Sequence, residues 1–263
     1  MNYETQWVLA QIEAAEREAA ELMLHARRIL AETKSGRRDV VTDYDRRVQA
    51  LLTERLAAAV PGAKFFCEET PERDRLDSEH LFIIDPIDGT MNFVHGFHHS
   101  CISVAYAVRG TVEAGAVYNP YVEELFTAVR GKGAYLNGRP IRVTDAGLSD
   151  SVVCYGTSPY DAALASRTFR LAERVFLASL DLRREGSAAL DLCTVAAGRA
   201  GLYFELQTSL WDYAAGALIV REAGGVCCRT DGTPFLPDGG KTDIAAGSPA
   251  AVKAFLELAE ATP

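Results

Sequence analysis

The stretch LFIIDPIDGTMNFVHG, residues 81–96, decides the fold because it joins an apolar segment directly to a group of polar residues. The four apolar residues at 81–84 predict a buried β-strand. Asp85 and Asp88 follow with Pro86 between them, and Gly89 comes next. A Pro-Asp-Gly turn is the common explanation for such a stretch. A ligand site is the alternative, and acids elsewhere in the chain bear on the choice.

The two acids of this stretch suit a cation. Residues three apart on an extended strand point to opposite faces, so Asp85 and Asp88 need a change of direction in order to meet. We expect Pro86 to turn the chain, so that both carboxylates and the Ile87 carbonyl converge. Hard divalent cations such as Mg²⁺ prefer these oxygens, and crowded carboxylates are costly without a cation.

The Gly-Thr pair at 89–90 suits an anion. Glycine lets the backbone come close to a ligand, and free N–H groups at a helix start bind phosphate oxygens. The stretch therefore predicts cations on its acids and a phosphate on the amides of Gly89 and Thr90.

Four further segments place an acid at the end of an apolar element. They are VTDYD (41–45), CEET (67–70), FEL (204–206) and WDYAAG (211–216). Ordinary explanations exist, since Asp212 alone could cap a helix and propensity does not separate Asp43 from Asp45. Because Glu68 and Asp212 share the context of Asp85, we favour one common metal site over a set of unrelated turns and caps.

Composition and charge limit the classes of protein to consider. The 263 residues are 48% hydrophobic and 24% charged, as in a soluble globular protein. No apolar run approaches the ~20 residues of a membrane span, and the acidic, amphipathic N-terminus does not look like a signal peptide. The net charge of −9 argues against non-specific nucleic-acid binding. The six cysteines lack metal-finger spacing, which predicts free thiols in a reducing cytoplasm.

Hydrophobic periodicity predicts helices and strands that mix without a regular βαβ alternation. Helices are predicted at 4–32, 42–59, 161–179, 187–198, 212–224 and 249–261. Strands fall between them, including a meander over 100–143. This pattern predicts an α+β fold of layered helices and sheets. We expect one domain over 1–263, with a metal-binding half at 1–146 and a substrate half at 147–263.

Several motifs together resemble a known family. Glu68-Glu69, DPIDGTMNFVHG and WDYAAGALIVREAGG occur in the order found in inositol monophosphatases, which belong to a larger family that includes fructose-1,6-bisphosphatases. VTDYD and GSAALDLC (186–193) match as well. The resemblance covers nearly the whole chain. It implies an α/β/α/β/α sandwich of the sugar-phosphatase type, and a Mg²⁺-dependent hydrolase that releases phosphate from myo-inositol monophosphate.

The resemblance implies two or three Mg²⁺ ions per site. Glu68, Asp85 and the Ile87 carbonyl would bind the first ion, and Asp85, Asp88 and Asp212 would bind the second. Glu68 would hold a third through water. By the same resemblance, inhibition by lithium is expected at the second position.

The catalytic and substrate residues follow from the same resemblance. Glu68, Thr90 and Asp45 would be catalytic, with Thr90 and Asp45 paired beside the attacking water. The amides of Gly89 and Thr90 would hold the phosphate. The residues expected around the alcohol part of the substrate are Asp88, Gly186, Ser187, Ala188, Glu205 and Asp212.

The metal motifs do not choose the substrate. Relatives with the same metal residues cleave fructose-1,6-bisphosphate, histidinol phosphate or 3′-phosphoadenosine nucleotides, and specificity is expected in the loops at 156–162 and 183–188. A non-catalytic regulatory or RNA-associated protein on the same fold is a further alternative. The resemblance also implies a homodimer with a small sugar or polyol phosphate as its ligand.

The chain departs from the family pattern at three places. Cys67 replaces a usual glycine, and a thiol beside a metal site suggests sensitivity to oxidation. Met91 replaces a usual threonine and is expected to pack. Glu185 stands where a small or apolar residue is usual, and it adds negative charge beside the alcohol pocket. The histidines at 95, 98 and 99 lack a standard zinc spacing and are interpreted as structural.

Overall fold

The computed structural model describes residues 3–27, 29–36, 39–71, 74–159, 161–235 and 239–260, with the side chains of 34–36 and 39 outside the description. The helices are α1 (Thr5–Leu24), α2 (Asp43–Ala59), α3 (Thr90–His95), α4 (Ala165–Ala178), α5 (Ala188–Ala196), α6 (Leu210–Glu222) and α7 (Pro249–Glu260). Two short 3₁₀ turns lie at Leu148–Asp150 and Ala162–Leu164.

The described strands form a hairpin and two larger sheets. The strands are β1 (Ala31–Gly36), β2 (Asp39–Thr42), β3 (Lys64–Cys67), β4 (Leu81–Asp88), β5 (Cys101–Val108), β6 (Thr111–Asn119), β7 (Glu124–Val129), β8 (Ala134–Leu136), β9 (Arg139–Ile141), β10 (Val152–Tyr155), β11 (Asp181–Arg183), β12 (Leu202–Thr208), β13 (Val226–Cys228) and β14 (Thr242–Gly247). β1 pairs with β2, the seven strands β3 to β9 follow one another in chain order, and the third sheet has the order β11-β10-β12-β14-β13.

Three apolar cores separate these elements into layers. One core lies between α1, α2 and one face of the seven-stranded sheet. A second joins the other face of that sheet to α5, α6 and the five-stranded sheet. The third lies between the five-stranded sheet and helices α4 and α7. The predicted α+β fold, an α/β/α/β/α sandwich, is confirmed. The two large sheets draw strands from 64–141 and 152–247, and the division into halves at 1–146 and 147–263 stays a prediction.

A β-bulge, not a turn, carries the chain through DPID. β4 continues to Asp88, and its pairing with β5 shifts between Asp85 and Asp88. The extra residue of a bulge changes which face a side chain points to. Pro86, which has no N–H to give to the ladder, lies in this irregular part. The expected turn at Pro86 is thus a bulge within a continuing strand, and the two acids meet as expected.

Small residues let α6 fit between the two large sheets. A Cβ on Gly115 of β6 would lie 3.0 Å from the Cα of Ala215. A Cβ on Gly216 would lie 2.7 Å from Leu192 Cδ1 of α5. The AAG of WDYAAG is therefore a packing sequence, and it holds the helix that carries Asp212 close to the β4–β5 sheet.

The predicted helix at 4–32 is wrong beyond Leu24. Strands β1 (Ala31–Gly36) and β2 (Asp39–Thr42) pair antiparallel, with Ala31 opposite Thr42, so a backbone ladder replaces the helix that propensity favoured. The buried side of α1 carries Val8, Ile12 and Met23, whereas the apolar residues Trp7 and Leu30 are exposed. Among the helices of the described ranges, none combines the length and apolar character that a bilayer crossing requires.

Candidate active site

Three carboxylates converge at the end of β4. Oxygen atoms of Asp85, Asp88 and Asp212 all lie within 4.8 Å of one another. The bulge in β4 supplies the first two, and the first turn of α6 supplies the third. Asp85 is buried and the other two are partly buried, so the group lies in a recess with access from one side.

Each of these acids is held by hydrogen bonds that use only part of its carboxylate. Ser187 Oγ and the Ala189 N–H donate to Asp88 Oδ2 at 2.6 and 2.7 Å. Thr208 Oγ1 and the Ser209 N–H donate to Asp212 Oδ2 at 2.9 and 2.7 Å. These bonds fix the carboxylates of Asp88 and Asp212 and leave the Oδ1 of each for a ligand, whereas at Asp85 it is Oδ1 that accepts, from the Ile87 N–H at 3.1 Å.

Two sequence interpretations change here. Ser209, not Asp212, is the N-cap of α6, and Asp212 is the third residue of a capping box. Ser187, predicted to line the substrate, is buried with its hydroxyl on Asp88. Ser187 therefore positions a carboxylate through its side chain.

Burial, and after it the mutual repulsion of these acids, raises their pKa values. Burial raises the pKa of Asp85 well above its usual range, and the charges of Glu68, Asp88 and Asp212 raise it further. Burial is also the main cause at Asp88, where it raises the pKa to about 6 against the Ser187 and Ala189 hydrogen bonds. The pKa of Asp212 is raised in the same way, by burial and then by Asp88 and Glu68. Since the ionised group is all oxygen and mutually repulsive, a hard divalent cation fits it.

Glu68 belongs to the same electrostatic group. It follows β3, and its N–H donates to the Ile84 carbonyl of β4 at 3.1 Å. Its charge contributes to the raised pKa values of Asp85, Asp88 and Asp212. The parallel pairing of β3 with β4 thus places the CEET acid beside the DPID acids.

Thr90 and Asp45 form a hydrogen-bonded pair. Thr90 Oγ1 lies 3.2 Å from Asp45 Oδ1 and 3.1 Å from the Ile87 carbonyl oxygen. Asp45 Oδ2 accepts from the Thr42 N–H at 2.7 Å and from the Thr42 hydroxyl at 2.5 Å. Thr42 is the N-cap of α2, which separates the two acids: Asp45 completes its capping box, and Asp43 is an exposed acid 3.6 Å from Arg47.

Gly89 is at a position that only glycine fits. Its φ is 89°, and a Cβ there would lie 3.0 Å from the His99 carbonyl oxygen and 3.3 Å from that of Gly186. No hydrogen bond within the described part of the chain uses the N–H groups of Gly89 or Thr90. Because α3 has only six residues, these two amides, more than a helix dipole, give the site its capacity for an anion.

Glu205 is placed by neighbours that sequence reasoning did not identify. Its carboxylate accepts from Tyr203 Oη at 2.7 Å, and from the N–H and hydroxyl of Ser158 at 2.7 and 3.2 Å. A Cβ on Gly156 would lie 2.0 Å from that carboxylate. Burial raises the pKa of Glu205, and the hydrogen bonds and Arg184 oppose the rise. Ser158 and Arg184 lie in the loops expected to set specificity. Nothing in the sequence predicts that Ser158 bonds Glu205 or that the charge of Arg184 acts on it.

The remaining predicted substrate residues, Gly186 and Ala188, lie just before α5 and at its first position. Gly186 has a φ of 88°, and a Cβ there would lie 2.7 Å from Arg184 Nη1. Arg184 Nη2 donates to Thr157 Oγ1 at 3.2 Å, which links the two specificity loops. Ala188 is partly buried at the first position of α5.

The departures from the family pattern fall in three different environments. Met91 is 41% exposed, so the expectation that it packs is wrong. Cys67 is buried, which restricts the access of an oxidant to its thiol. Glu185 faces His99, with 3.2 Å between Oε2 and Nε2. Lys34, a candidate for a loop near the site, has its side chain outside the described residues.

The chain belongs to the inositol monophosphatase family, whose sequence model matches residues 4–262. The resemblance carried by DPIDGT and WDYAAG is confirmed. The match covers nearly the whole chain and so defines the class of protein to which the chain belongs.

Relatives of two kinds share this fold. The Nus factor SuhB of Vibrio cholerae serotype O1 is 41% identical over 227 residues, which are 86% of this chain and 84% of that protein. The solved extragenic suppressor protein suhB of Bartonella henselae has a TM-score of 0.90 at 34% identity, covering 96% of this chain and 98% of that one. The inositol monophosphatase of Anabaena (Nostoc) sp. PCC 7120 has a TM-score of 0.87 at 30% identity, covering 98% and 97%.

Proposed function

We propose that the protein is a Mg²⁺-dependent phosphomonoesterase that hydrolyses myo-inositol monophosphate to inositol and phosphate. The observation that carries the proposal is the cluster of Asp85, Asp88 and Asp212 beside the hydrogen-bonded pair of Thr90 and Asp45. A cation site and a proton acceptor next to free amides are the parts that phosphate ester hydrolysis needs.

The carboxylates would hold the ions. Asp85 with Glu68 and the Ile87 carbonyl suits one ion, and Asp85 with Asp88 and Asp212 suits another, with a third on Glu68 through water. When bound, Mg²⁺ supplies Lewis acidity, which makes water a nucleophile near neutral pH and stabilises the leaving oxygen. A related structure of an IMPase/NADP phosphatase, 25% identical to this chain, was solved with Mg²⁺ and phosphate.

The chain's own residues would orient the phosphate and move the proton. The amides of Gly89 and Thr90 hold phosphate oxygens. Thr90 Oγ1 takes the proton of the attacking water while its own proton passes to Asp45 Oδ1, 3.2 Å away. Glu68 is the alternative proton acceptor. The new P–O bond forms as the bond to the alcohol breaks, and the alcohol oxygen is protonated from solvent, with no phospho-enzyme.

The polyol part of the substrate would be recognised by Asp88, Gly186, Ala188, Glu205 and Asp212. Carboxylates accept hydrogen bonds from ring hydroxyls, and Glu205 is held firmly by Tyr203 and Ser158. Arg184 adds a positive group at the rim, which allows a substrate that carries a second anionic group. Fructose-1,6-bisphosphate and 3′-phosphoadenosine nucleotides carry such a group, and histidinol phosphate stays an alternative substrate because relatives with the same metal residues cleave it.

A second candidate function is a non-catalytic regulatory role. Its support is the name Nus factor, which relatives 38–41% identical to this chain carry. Against it, the acids of the DPIDGT and WDYAAG motifs are all present and converge.

One experiment separates these functions. Phosphate release from the four substrates is measured with Mg²⁺ and with EDTA, using the parent, Asp85→Asn and the exposed-site control Asp43→Asn. We expect Mg²⁺-dependent release, greatest with inositol monophosphate, that is lost only in Asp85→Asn. Release from no substrate would favour the regulatory role, and a trapped phospho-enzyme would exclude direct attack by water. The homodimer, the cytoplasmic location and lithium sensitivity stay predictions.

A further inference from the structure

A second group of metal-ligating side chains lies near the carboxylate site and has no part in the proposed hydrolysis. His99 precedes β5, Glu185 lies between β11 and α5, and Asp191 lies within α5. One ligand atom from each of the three lies within 4.8 Å of the other two. The fold thus brings together residues from three separate segments, which histidine spacing alone does not reveal.

An ion pair between His99 and Glu185 does not explain why the carboxylate of Asp191 is buried beside them. It is 1% exposed, and its Oδ1 has no hydrogen-bond partner among the described residues. His99 Nε2 is also buried without a hydrogen bond, because its 3.2 Å approach to Glu185 is not aligned for one. Buried polar atoms without partners are costly and are rare in folded proteins. An ion between these groups would satisfy both atoms.

The nearby arginines are occupied elsewhere. Arg183 pairs with Asp181, and Arg184 donates to Thr157 at 3.2 Å. Burial raises the pKa of Asp191 well above its usual range, and the charges of Glu185, Asp88 and Glu205 raise it further. The local field is therefore negative, and a cation would be attracted to it.

The backbone at His99 and Glu185 is fixed without using the side chains that would bind the ion. Asn92 Nδ2 donates to the carbonyl oxygens of both His99 and Glu185, each at 2.7 Å. The side chains of His99 and Glu185 are 30% and 35% exposed as a whole, although His99 Nε2 itself is buried. A buried carboxylate and a buried imidazole nitrogen beside a partly exposed carboxylate form a preorganised arrangement.

We propose that His99, Glu185 and Asp191 bind a divalent transition-metal ion of the Zn²⁺ type, at a site separate from the carboxylate site. An imidazole nitrogen with two carboxylates suits Zn²⁺, whereas Mg²⁺ prefers oxygen ligands alone. Glu185 continues into Gly186, and the helix of Asp191 starts at Ser187, which bonds Asp88. The ion therefore braces the loop that forms one wall of the active site.

The test is a Zn²⁺ titration by calorimetry in excess Mg²⁺. The full chain carries Asp85→Asn and Asp212→Asn, which disable the carboxylate site. We expect one equivalent of Zn²⁺ to bind and to raise the Tm. Adding His99→Gln or Asp191→Asn should weaken binding at least tenfold, whereas His95→Gln, an exposed histidine outside the cluster, should leave it unchanged.

Two results would overturn the site. One is the absence of a stoichiometric Zn²⁺ site, which would leave a plain His99–Glu185 ion pair beside a protonated Asp191. The other is binding that persists in both His99→Gln and Asp191→Asn, which places the ion elsewhere. If the buried variant does not fold, Glu185→Gln at the accessible ligand gives the same comparison. The Zn²⁺ stoichiometry does not depend on phosphatase activity. The titration can therefore be interpreted even if the proposed function fails its own test.

Discussion

Asp88→Asn should stabilise the metal-free protein and abolish its activity. In the folded chain without cations, burial raises the pKa of Asp88 from 3.8 to about 6. A raised carboxylate pKa means that the folded state binds the proton more tightly than the unfolded state, so ionisation at higher pH costs stability. Asparagine removes that cost, and its amide oxygen can still accept from Ser187 and Ala189.

The size of the effect follows from the pKa. A rise from 3.8 to about 6 corresponds to about 3 kcal/mol of lost stability above pH 6, and to roughly half of that at pH 5. A neutral acceptor makes weaker hydrogen bonds than a charged one, and this reduces the stability gained by the variant by roughly 1 kcal/mol. The net gain at pH 7.5 is about 2 kcal/mol, or a Tm increase of about 4–8 °C for a chain of this size.

The assay is thermal and urea unfolding in EDTA at pH 7.5 and pH 5. The parent, Asp88→Asn and Asp43→Asn are compared, since Asp43 is an exposed acid with an ordinary ion pair. The advantage of Asp88→Asn should shrink at pH 5, where the parent carboxyl keeps its proton. In saturating Mg²⁺ the order should reverse, because only the parent gains binding energy from the ion.

Phosphate release should fall at least about 100-fold in Asp88→Asn, because changes to groups that merely support metal ligands already cost 10–100-fold. A variant that is less stable than the parent in EDTA at pH 7.5 would refute the reasoning. So would a stability difference that does not change with pH, since that would assign the effect to packing.

Other perturbations test separate parts of the site. Thr90→Val should lower kcat about 100-fold or more with little change in KM, and Thr90→Ser should restore most of it, as stopped-time phosphate assays can show. Gly89→Ala should lower the Tm and raise KM, because its φ of 89° is strained for alanine by about 1–2 kcal/mol and the His99 carbonyl is 3.0 Å away. Gly216→Val should cost about 1–3 kcal/mol in urea unfolding by overpacking against α5, whereas Gly147→Ala, where the added Cβ meets nothing, should cost little.

The sequence determined the chemistry of the site and the class of fold. Asp85, Asp88 and Asp212 can be recognised in the sequence because several segments of the chain each place an acid at the end of an apolar element. Helix α2 was predictable for a similar reason, since Thr42 and Asp45 form a capping box and Val48, Leu52 and Leu56 repeat at helical spacing. Local chemistry and periodicity are properties of short segments, so they can be read without the fold.

Other features depend on partners that are distant in the chain. The end of α1 at Leu24 is one, because the strands β1 and β2 that follow gain their stability from pairing with each other. The bulge between Asp85 and Asp88 is another, because only the register against β5 defines it. Propensity within a segment carries no information about either partner.

The supports of the active site were likewise decided by tertiary structure. The substrate role expected of Ser187 stays a prediction, and what the sequence did not indicate is that the start of α5 brings its hydroxyl to Asp88, 99 positions away. The cluster of His99, Glu185 and Asp191 exists because β5, the loop before α5 and α5 itself meet in space. Which acids could bind a cation was written in the sequence. Which oxygen atoms remain available for one was decided when the fold supplied hydrogen-bond donors from elsewhere in the chain.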